Sequence, residues 1–282
     1  MKKRPTFYIG RGSQYSILIL GSLVSLMPLM WAISTSLKTI DQLSNWPPNL
    51  IPDPIAWGNY AEVFTHIPML QYFGNTMVIV TAWVIGATVT CSFVAYGFAR
   101  TQFWGRDTLF LILLSTLMMP YVVRLIPLFM IYNELGWINT FLPLTVPMLL
   151  GRNAFYIFLL RQFFIGIPEE ISDAARIDGC SHFGIWWRIV MPLSKPALAT
   201  VAVFAFQASW DDFLAPLVYM GGNPDLRTLS LGLFAFRAAP GQVAMTHLLM
   251  AMSVMMIIPV LIVFAFGQRY FVQGVTMSGL KG

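Results

Sequence analysis

The chain has 282 residues, of which 57% are hydrophobic and 10% charged, and its mean hydropathy is +0.69. This composition excludes an ordinary soluble domain and predicts an all-α membrane protein embedded in the lipid bilayer. The net charge is +5, but no basic run alternates with stacking aromatic residues, so no nucleic-acid partner is expected.

Six apolar segments are each long enough to cross a bilayer, which needs about 20 residues. They cover residues 15–37, 73–99, 108–132, 140–160, 197–220 and 244–268. Six spans place both termini on one side of the membrane. A signal peptide is the competing interpretation of the first segment, but its apolar run exceeds the usual ~7 to 15 residues.

Lys and Arg gather in alternate loops, and this bias predicts which loops are cytoplasmic. The basic residues are Lys2, Lys3, Arg4 and Arg11 before the first span, Arg100 and Arg106 after the second, and Arg161, Arg176, Arg188 and Lys195 after the fourth. The proline-rich loop, residues 38–72, has one Lys against three acidic residues. We therefore predict a multi-pass protein of the inner (cytoplasmic) membrane, with cytoplasmic termini and the proline-rich loop outside.

Proline or glycine interrupts most of the predicted spans. The interruptions are Pro28, Gly86, Pro120, Pro127, Pro143, Pro147, Pro216 and Pro259. Broken helices are tolerated within a membrane where they are buried in protein or line a cavity, which favours a transporter; ordinary kinks are the alternative. No repeat or soluble segment is recognisable, so a single membrane domain over residues 1–282 is predicted.

Polar side chains within the spans mark a candidate substrate pathway, because a charge there costs about 2.5 to 3.5 kcal/mol on insertion scales. They are Arg124, Arg152 with Asn153, and Trp210 with Asp211 and Asp212. A guanidinium suits sugar hydroxyls or an anionic group, and an aromatic ring beside carboxylates suits a pyranose. The alternatives are an ion pair from Arg124 to an aspartate, snorkelling of Arg152 and a gating or structural role for the aspartates.

The main polar interruption of the chain, residues 162–196, is here called the polar loop. A helix is predicted to start at Pro168, which suits the first turn, with Glu169 and Glu170 at its positive N-terminus, and to end at Gly179. Its helical spacing predicts two faces. The small-residue face contains Ile171, Ala174, Ala175 and Asp178, and the charged face contains Glu169, Asp173 and Arg176.

A second short helix is predicted over residues 182–190, capped by Ser181 and broken by Pro192. Two short helices joined at a forced corner form a rigid knob that fits a partner's groove. The alternative is an amphipathic loop lying on the membrane surface. We expect the first helix to be only weakly apolar on one side, which argues against that alternative.

The polar loop also contains a spaced motif. Asp173-Ala174-Ala175 is followed after three residues by Gly179, and after nine more by Ile189-x-Met191-Pro192. This pattern resembles the EAA loop of ABC importer permeases, with Asp173 in place of the usual Glu and Met191 in place of Leu. Either Glu169 or Glu170 is expected to share the acidic role. Residues 119–128, 135–140, 158–164 and 210–217 likewise resemble MalG-like carbohydrate-uptake permeases.

This resemblance implies a type I ABC importer permease fold and an ATPase docked on the polar loop. The docking residues it implies are Glu169, Glu170, Asp173, Ala174, Ala175, Arg176, Asp178, Gly179, Ile189 and Pro192. The implied partners are a second homologous permease, two cytoplasmic ATPase subunits and an extracytoplasmic solute-binding protein. The tail residues Gly274, Gly279, Lys281 and Gly282 resemble the family tail that reaches toward the ATPase.

The predicted function is that of a permease subunit of an ATP-driven, binding-protein-dependent importer for a sugar, oligosaccharide or sugar-like osmolyte. The chain lacks GxxxxGK[ST], so we expect no enzyme and no cofactor here, with ATP and Mg²⁺ on the separate ATPase. One alternative is import of a phosphorylated polyol such as glycerol-3-phosphate, which Arg124 leaves open.

Two alternatives come from other classes. An ion-gradient-driven carrier is expected to show repeated halves and acidic relays, which this sequence lacks. An intramembrane enzyme needs clustered catalytic groups, but His66, His182 and His247 are dispersed, so no metal site or nucleophile–base pair is predicted. Cys91 and Cys180 predict no disulfide framework.

Overall fold

The computed structural model describes residues 11–238 and 245–279, with side chains described for residues 12–237 and 245–268. Within these ranges the chain forms helices and no strand, which confirms the all-α prediction. The helices are α1 (Arg11–Ser36), α2 (Ile40–Leu43), α3 (Gly58–His66), α4 (Met69–Ile85), α5 (Cys91–Arg100), α6 (Arg106–Ser115), α7 (Tyr121–Glu134), α8 (Leu142–Leu149), α9 (Ala154–Ile165), α10 (Glu169–Ile177), α11 (His182–Ile185), α12 (Met191–Leu193), α13 (Lys195–Trp210), α14 (Leu214–Met220), α15 (Leu229–Ala238) and α16 (Thr246–Gly279).

Several of these helices are long and apolar enough to cross a membrane. Four such stretches are Gly12–Ser36, Met69–Arg100, Leu142–Ile165 and Thr246–Gln268. Two further pairs bend sharply at a short break: Arg106–Met118 with Tyr121–Glu134, by 104°, and His182–Leu193 with Lys195–Trp210, by 83°. The described residues therefore contain up to six spans if each bent pair is one span, which is the number predicted. The fifth differs in extent, because its bent pair covers residues 182–210 and so begins within the polar loop, whereas residues 197–220 were predicted.

The chain divides into two compact units, Met1–Ile67 with Phe236–Ile257 and Pro68–Ala235 with Ile258–Gly282. In the first unit, the amide of Asn59 donates to the carbonyls of Ser36 and Lys38, both at 2.8 Å. These bonds tie helix α3 of the proline-rich loop to the end of α1. The single membrane domain over residues 1–282 stays a prediction.

The core of the second unit joins the membrane spans to the polar loop. Its buried side chains come from the second, fourth and fifth spans and from the loop itself. They include Ala87, Cys91, Ala95, Ile157, Leu160, Phe164, Ile185, Trp186, Val190, Val201 and Ala205. Small residues let α5 approach α9 closely. Residues of the loop and of the spans therefore share one close-packed core.

The second span contains a π-helical turn, Gly86–Thr90, between α4 and α5. A Cβ atom on Gly86 would lie 2.7 Å from the carbonyl carbon of Met148 in α8, and closer still to its oxygen. No side chain fits there, so glycine permits the contact between the second and fourth spans.

Gly86→Ala is expected to destabilise the protein by about 1 to 3 kcal/mol, the usual cost of overpacking. Gly74→Ala is the matched control in the same span, because a Cβ on Gly74 meets nothing within 4 Å. The control should be neutral or up to ~1 kcal/mol more stable, since alanine favours helix. Thermal unfolding of both variants in detergent measures the difference, and equal midpoints would contradict the close contact with Met148.

Candidate functional site

The first half of the polar loop folds as predicted. Helix α10 follows Pro168 and is capped at Asp178. Gly179 has a φ of +80°, a left-handed conformation that favours glycine after a helix. The hydroxyl of Ser181 accepts a hydrogen bond of 3.2 Å from the Gly184 N–H and so begins α11. The predicted corner between two short helices is confirmed.

The second half of the polar loop differs from the prediction. The helix does not stop before Pro192 but continues through a π-helical turn, Trp186–Val190, and α12 to Leu193. Pro192 lies just after the π-helical turn and inside this continuous helix. The chain bends instead after Leu193, at Ser194, whose N–H donates to the carbonyl of Val190 at 3.0 Å.

Helix α10 leaves most of its small-residue face open. Ile171, Ala174 and Asp178 are exposed, whereas Ser172 is buried and Ala175 packs against the core of the second unit. The expectation of a weakly apolar helix was wrong, because its apolar and charged side chains are sharply segregated. One side of α10, which includes Ser172 and Ala175, is thus packed against the rest of the second unit. The opposite side is exposed and available to a partner.

The acidic residues of α10 differ in whether they have an ion-pair partner. Asp173, the acidic residue of the motif, forms an ion pair of 2.6 Å with Arg176 one turn later. Glu169 and Glu170 are exposed and form no ion pair with any residue in the described part of the chain. These two glutamates, more than Asp173, are therefore available to a cationic group.

The second span holds the polar loop by three contacts from α5. The ring of Phe93 lies edge-on to Trp186 at 5.0 Å, and the Ser92 hydroxyl donates to the sulfur of Met191 at 3.3 Å. The hydroxyl of Tyr96 lies 3.2 Å from Nδ1 of His182. Of the remaining motif residues, Ile189 is half-buried and Pro192 exposed.

Arg100 joins the start of the polar loop to two spans. Its guanidinium, at the end of the second span, is only 8% exposed. It donates to the carbonyl of Phe164 at 2.6 Å and to that of Ile167. These carbonyls mark the end of α9 and the start of the loop.

Arg161 forms a second clamp at the same level. Its Nε donates to the Phe98 carbonyl at 3.2 Å, and its guanidinium lies 4.1 Å from the ring centre of Phe110. The sequence pattern used Arg100 and Arg161 only to predict which loops are cytoplasmic. No local pattern of the sequence indicates this structural role, because the backbone acceptors lie 63 to 67 residues away.

The tail lies largely beyond the described side chains. Gly274 and Gly279 fall within α16, and Lys281 and Gly282 lie outside the described residues. Contact of this tail with an ATPase stays a prediction.

A cavity of about 280 Å³ lies in the second unit where three spans are broken. The breaks separate α6 from α7, α8 from α9, and α13 from α14. Its polar lining includes Arg124, Arg152, Asn153 and Asp212, and its aromatic lining consists of Trp83, Tyr121, Phe155 and Tyr219. Broken helices with polar side chains at a cavity are typical of membrane transport proteins.

Two side chains at the breaks satisfy backbone groups that the interrupted helices leave free. Oδ1 of Asn153 accepts from the N–H groups of Phe155 and Tyr156 at 3.1 and 3.2 Å and so caps α9. Oδ1 of Asp212 accepts from the Ala215 N–H at 3.2 Å, before the second turn of α14. The amide oxygen of Asn153 and a carboxylate oxygen of Asp212 are thus held in place at the cavity.

The two arginines of the cavity differ in their partners. Arg152 donates to the hydroxyl of Tyr132 at 3.1 Å, which is against the alternative of snorkelling. Arg124 forms no ion pair with Asp211, Asp212 or any other described residue, and its Nε is buried without a hydrogen-bond partner. The ion pair between Arg124 and an aspartate, which was the alternative interpretation, is therefore not formed among the described residues.

Two residues of the predicted pathway lie away from the cavity. Trp210 is buried and stacks on Phe206, with ring centres 5.3 Å apart. Asp211 is exposed at the end of α13. The structure thus brings together Arg124, Arg152, Asn153 and Asp212, and supplies aromatic faces that the sequence analysis did not single out.

These features define a membrane-spanning transport subunit with a polar loop packed onto its spans. The sequence profile of the binding-protein-dependent transport system inner membrane components matches residues 89–277, and the chain belongs to this family. It is accordingly a multi-pass inner-membrane permease subunit of the non-catalytic kind. Membership of this family disfavours the two alternative functions, an ion-gradient-driven carrier and an intramembrane enzyme.

Individual relatives agree with this assignment. The arabinooligosaccharides transport system permease protein AraQ of Halalkalibacterium halodurans is 36% identical over 262 residues, which cover 92% of each chain. The osmoprotective compounds uptake permease protein GgtD of Synechocystis is 34% identical over 225 residues, 79% of this chain and 74% of that one.

A solved structure has the same fold. It is that of a bacterial ABC transporter involved in the import of the acidic polysaccharide alginate, and one of its chains matches with a TM-score of 0.80. The match covers 94% of this chain and 100% of that chain at 24% identity. The predicted ABC importer permease fold is confirmed.

Proposed function

We propose that this chain is a permease subunit of an ATP-driven importer for a sugar, oligosaccharide or sugar-like osmolyte. The observation that carries the proposal is the cavity at the three breaks, where aromatic faces stand beside polar side chains in a binding-protein-dependent permease. Saccharides need both, because a sugar ring has apolar faces and hydroxyls at its rim. Relatives named for arabinooligosaccharides and osmoprotective compounds support this substrate class.

The polar loop is the proposed docking site of a separate ATPase. The open small-residue face of α10 allows close approach of its backbone to a groove. Glu169 and Glu170 are free to pair with basic groups, while Arg176 holds Asp173 in place. Gly179 makes the corner, and Ile189 and Pro192 complete the docking surface.

The proposed coupling runs from the polar loop to the cavity. Closure of the ATPase pair displaces α10, and the shared core passes this displacement to α9 and α13. Arg100 ties the start of the loop to the end of α5, because its guanidinium donates to the carbonyls of Phe164 and Ile167. Both α9 and α13 begin or end at a break that lines the cavity, so their movement changes access to it.

The proposed assembly contains a second homologous permease, two cytoplasmic ATPase subunits that bind ATP and Mg²⁺, and an extracytoplasmic solute-binding protein. The termini are cytoplasmic and the proline-rich loop faces outward. None of the apolar stretch of α1 is buried within the chain, so lipid or the second permease covers it. Trp46 and Trp57 of the proline-rich loop, 91% and 68% exposed, suit the membrane interface or the binding protein.

Reconstituted uptake tests this proposal. The chain is co-expressed with the products of neighbouring genes, purified in detergent and placed in liposomes with ATP inside. We expect uptake of a labelled saccharide, drawn from a panel presented with the binding protein, to require ATP. Uptake driven by a proton or sodium gradient without ATP would overturn the proposal.

A further inference from the structure

We propose that the cavity recognises a saccharide that carries one negative charge, with Arg124 as the main ligand of the acid group. A hexuronate, in which a carboxylate replaces the terminal hydroxymethyl group of the sugar, is the simplest such residue. This inference rests on the proposed function, because it names the substrate class of the same cavity.

The charge of the lining is the first argument. Arg124 and Arg152 are its cations, and Asp212 is the acidic residue of the lining among the described side chains. The lining therefore keeps one positive charge in excess. A charge in membrane surroundings is costly unless it meets a partner, and a ligand with a single negative charge neutralises the excess.

The different positions of the two arginines are the second argument. Arg152 is held by the hydroxyl of Tyr132 at 3.1 Å, and Tyr132 packs against Trp137 and Tyr219 at 5.7 and 5.2 Å. Arg124 has no such bond, and its Nε is buried without a partner. A guanidinium binds a carboxylate through two parallel hydrogen bonds, and the terminal Nη groups of Arg124 form no hydrogen bond or ion pair with any described residue.

The size of the cavity is the third argument. Its volume of about 280 Å³ falls just below the roughly 300 to 1,000 Å³ of pockets for drug-sized ligands. This volume admits a single sugar ring, for which Tyr121 and Phe155 supply aromatic surface. A phosphate ester carries about −1.5 to −2 charges at neutral pH, more than the lining neutralises, so the phosphorylated polyol is the poorer fit.

Two probes that differ only in the acid group test the inference. Methyl glucuronide and methyl glucoside are titrated into the complete transporter in nanodiscs, and binding is followed by saturation-transfer NMR. We expect the glucuronide to bind about tenfold more tightly, the effect of one added charged hydrogen-bond pair. Arg124→Gln should remove this preference without weakening the glucoside, and Arg124→Lys should retain part of it.

Arg227→Gln is the matched control, because it removes a cation that does not line the cavity, and it should keep the preference. Equal affinities of the two probes for the native transporter would overturn the inference and leave sugar import standing. A second outcome would also overturn the inference: an Arg124→Gln variant that loses uptake but still binds the glucuronide more tightly than the glucoside. Arg124 would then pair with a carboxylate of the second permease and not with the substrate. The NMR experiment needs no ATP, so failure of ATP-driven uptake is detected separately.

Discussion

We expect Ala174→Arg to weaken association of the ATPase by about 30-fold or more, since losing an interface hot spot costs roughly 2 to 4 kcal/mol. Ala174 is exposed on α10 and belongs to the small-residue face. A long charged side chain there holds the helix backbone away from the partner's groove. The same change removes no described contact within the chain, so the fold should be unaffected.

Affinity of the purified ATPase for the permease in nanodiscs measures this effect, together with ATP-driven uptake. Ala174→Ser is the matched control, because serine keeps the side chain small, and it should retain docking. Thermal unfolding of both variants should match that of the native chain. An Ala174→Arg variant with native affinity and uptake would remove the small-residue face from the docking surface.

The second large effect is expected for Arg100→Met, which removes the clamp between the end of α5 and the start of the polar loop. The carbonyls of Phe164 and Ile167 lose their donor. Hydrogen bonds from a charged group contribute about 1.5 to 3 kcal/mol each. We expect a destabilisation of about 2 kcal/mol or more, with uptake reduced more than ATP hydrolysis because the loop moves without its spans.

Hydrogen exchange of the loop amides distinguishes this coupling role from a general loss of stability. Exchange across α10 should accelerate in the Arg100→Met variant even at temperatures where the chain remains folded. Arg106→Met is the control, because Arg106 pairs with the exposed Asp107 at 2.9 Å and such surface pairs contribute little. Unchanged exchange in α10 and an unchanged ratio of uptake to hydrolysis would contradict the clamp.

Local signals predicted the elements of this fold well. Apolar segment length indicated the spans, because only a long apolar helix satisfies its backbone in lipid. The start of α10 after Pro168, the corner at Gly179 and the cap at Ser181 were also predictable, because each depends on the conformation of one or two residues. The prediction that Pro192 breaks the helix was wrong, because the helix continues past it after a π-helical turn, which the sequence pattern does not indicate.

The arrangement of the site depends on contacts that no local pattern encodes. Trp210 beside two carboxylates looked like a sugar-stacking residue, but its ring is occupied by Phe206. Arg124, Arg152 and Asp212 come from three breaks far apart in the sequence, and only packing brings them to one cavity. The clamp at Arg100 was hidden for the same reason, since its acceptors lie 64 and 67 residues away.

Docking of the ATPase on the polar loop is the central claim, and site-specific photo-cross-linking tests it most directly. A photo-reactive amino acid replaces Ile177, which is 88% exposed at the end of α10. A second variant carries it at Trp104, 98% exposed in the loop between α5 and α6, on the same predicted side of the membrane. We expect an adduct with the ATPase from position 177 and little or none from position 104. Absence of an ATPase adduct at position 177 in a complex that hydrolyses ATP would contradict the claim.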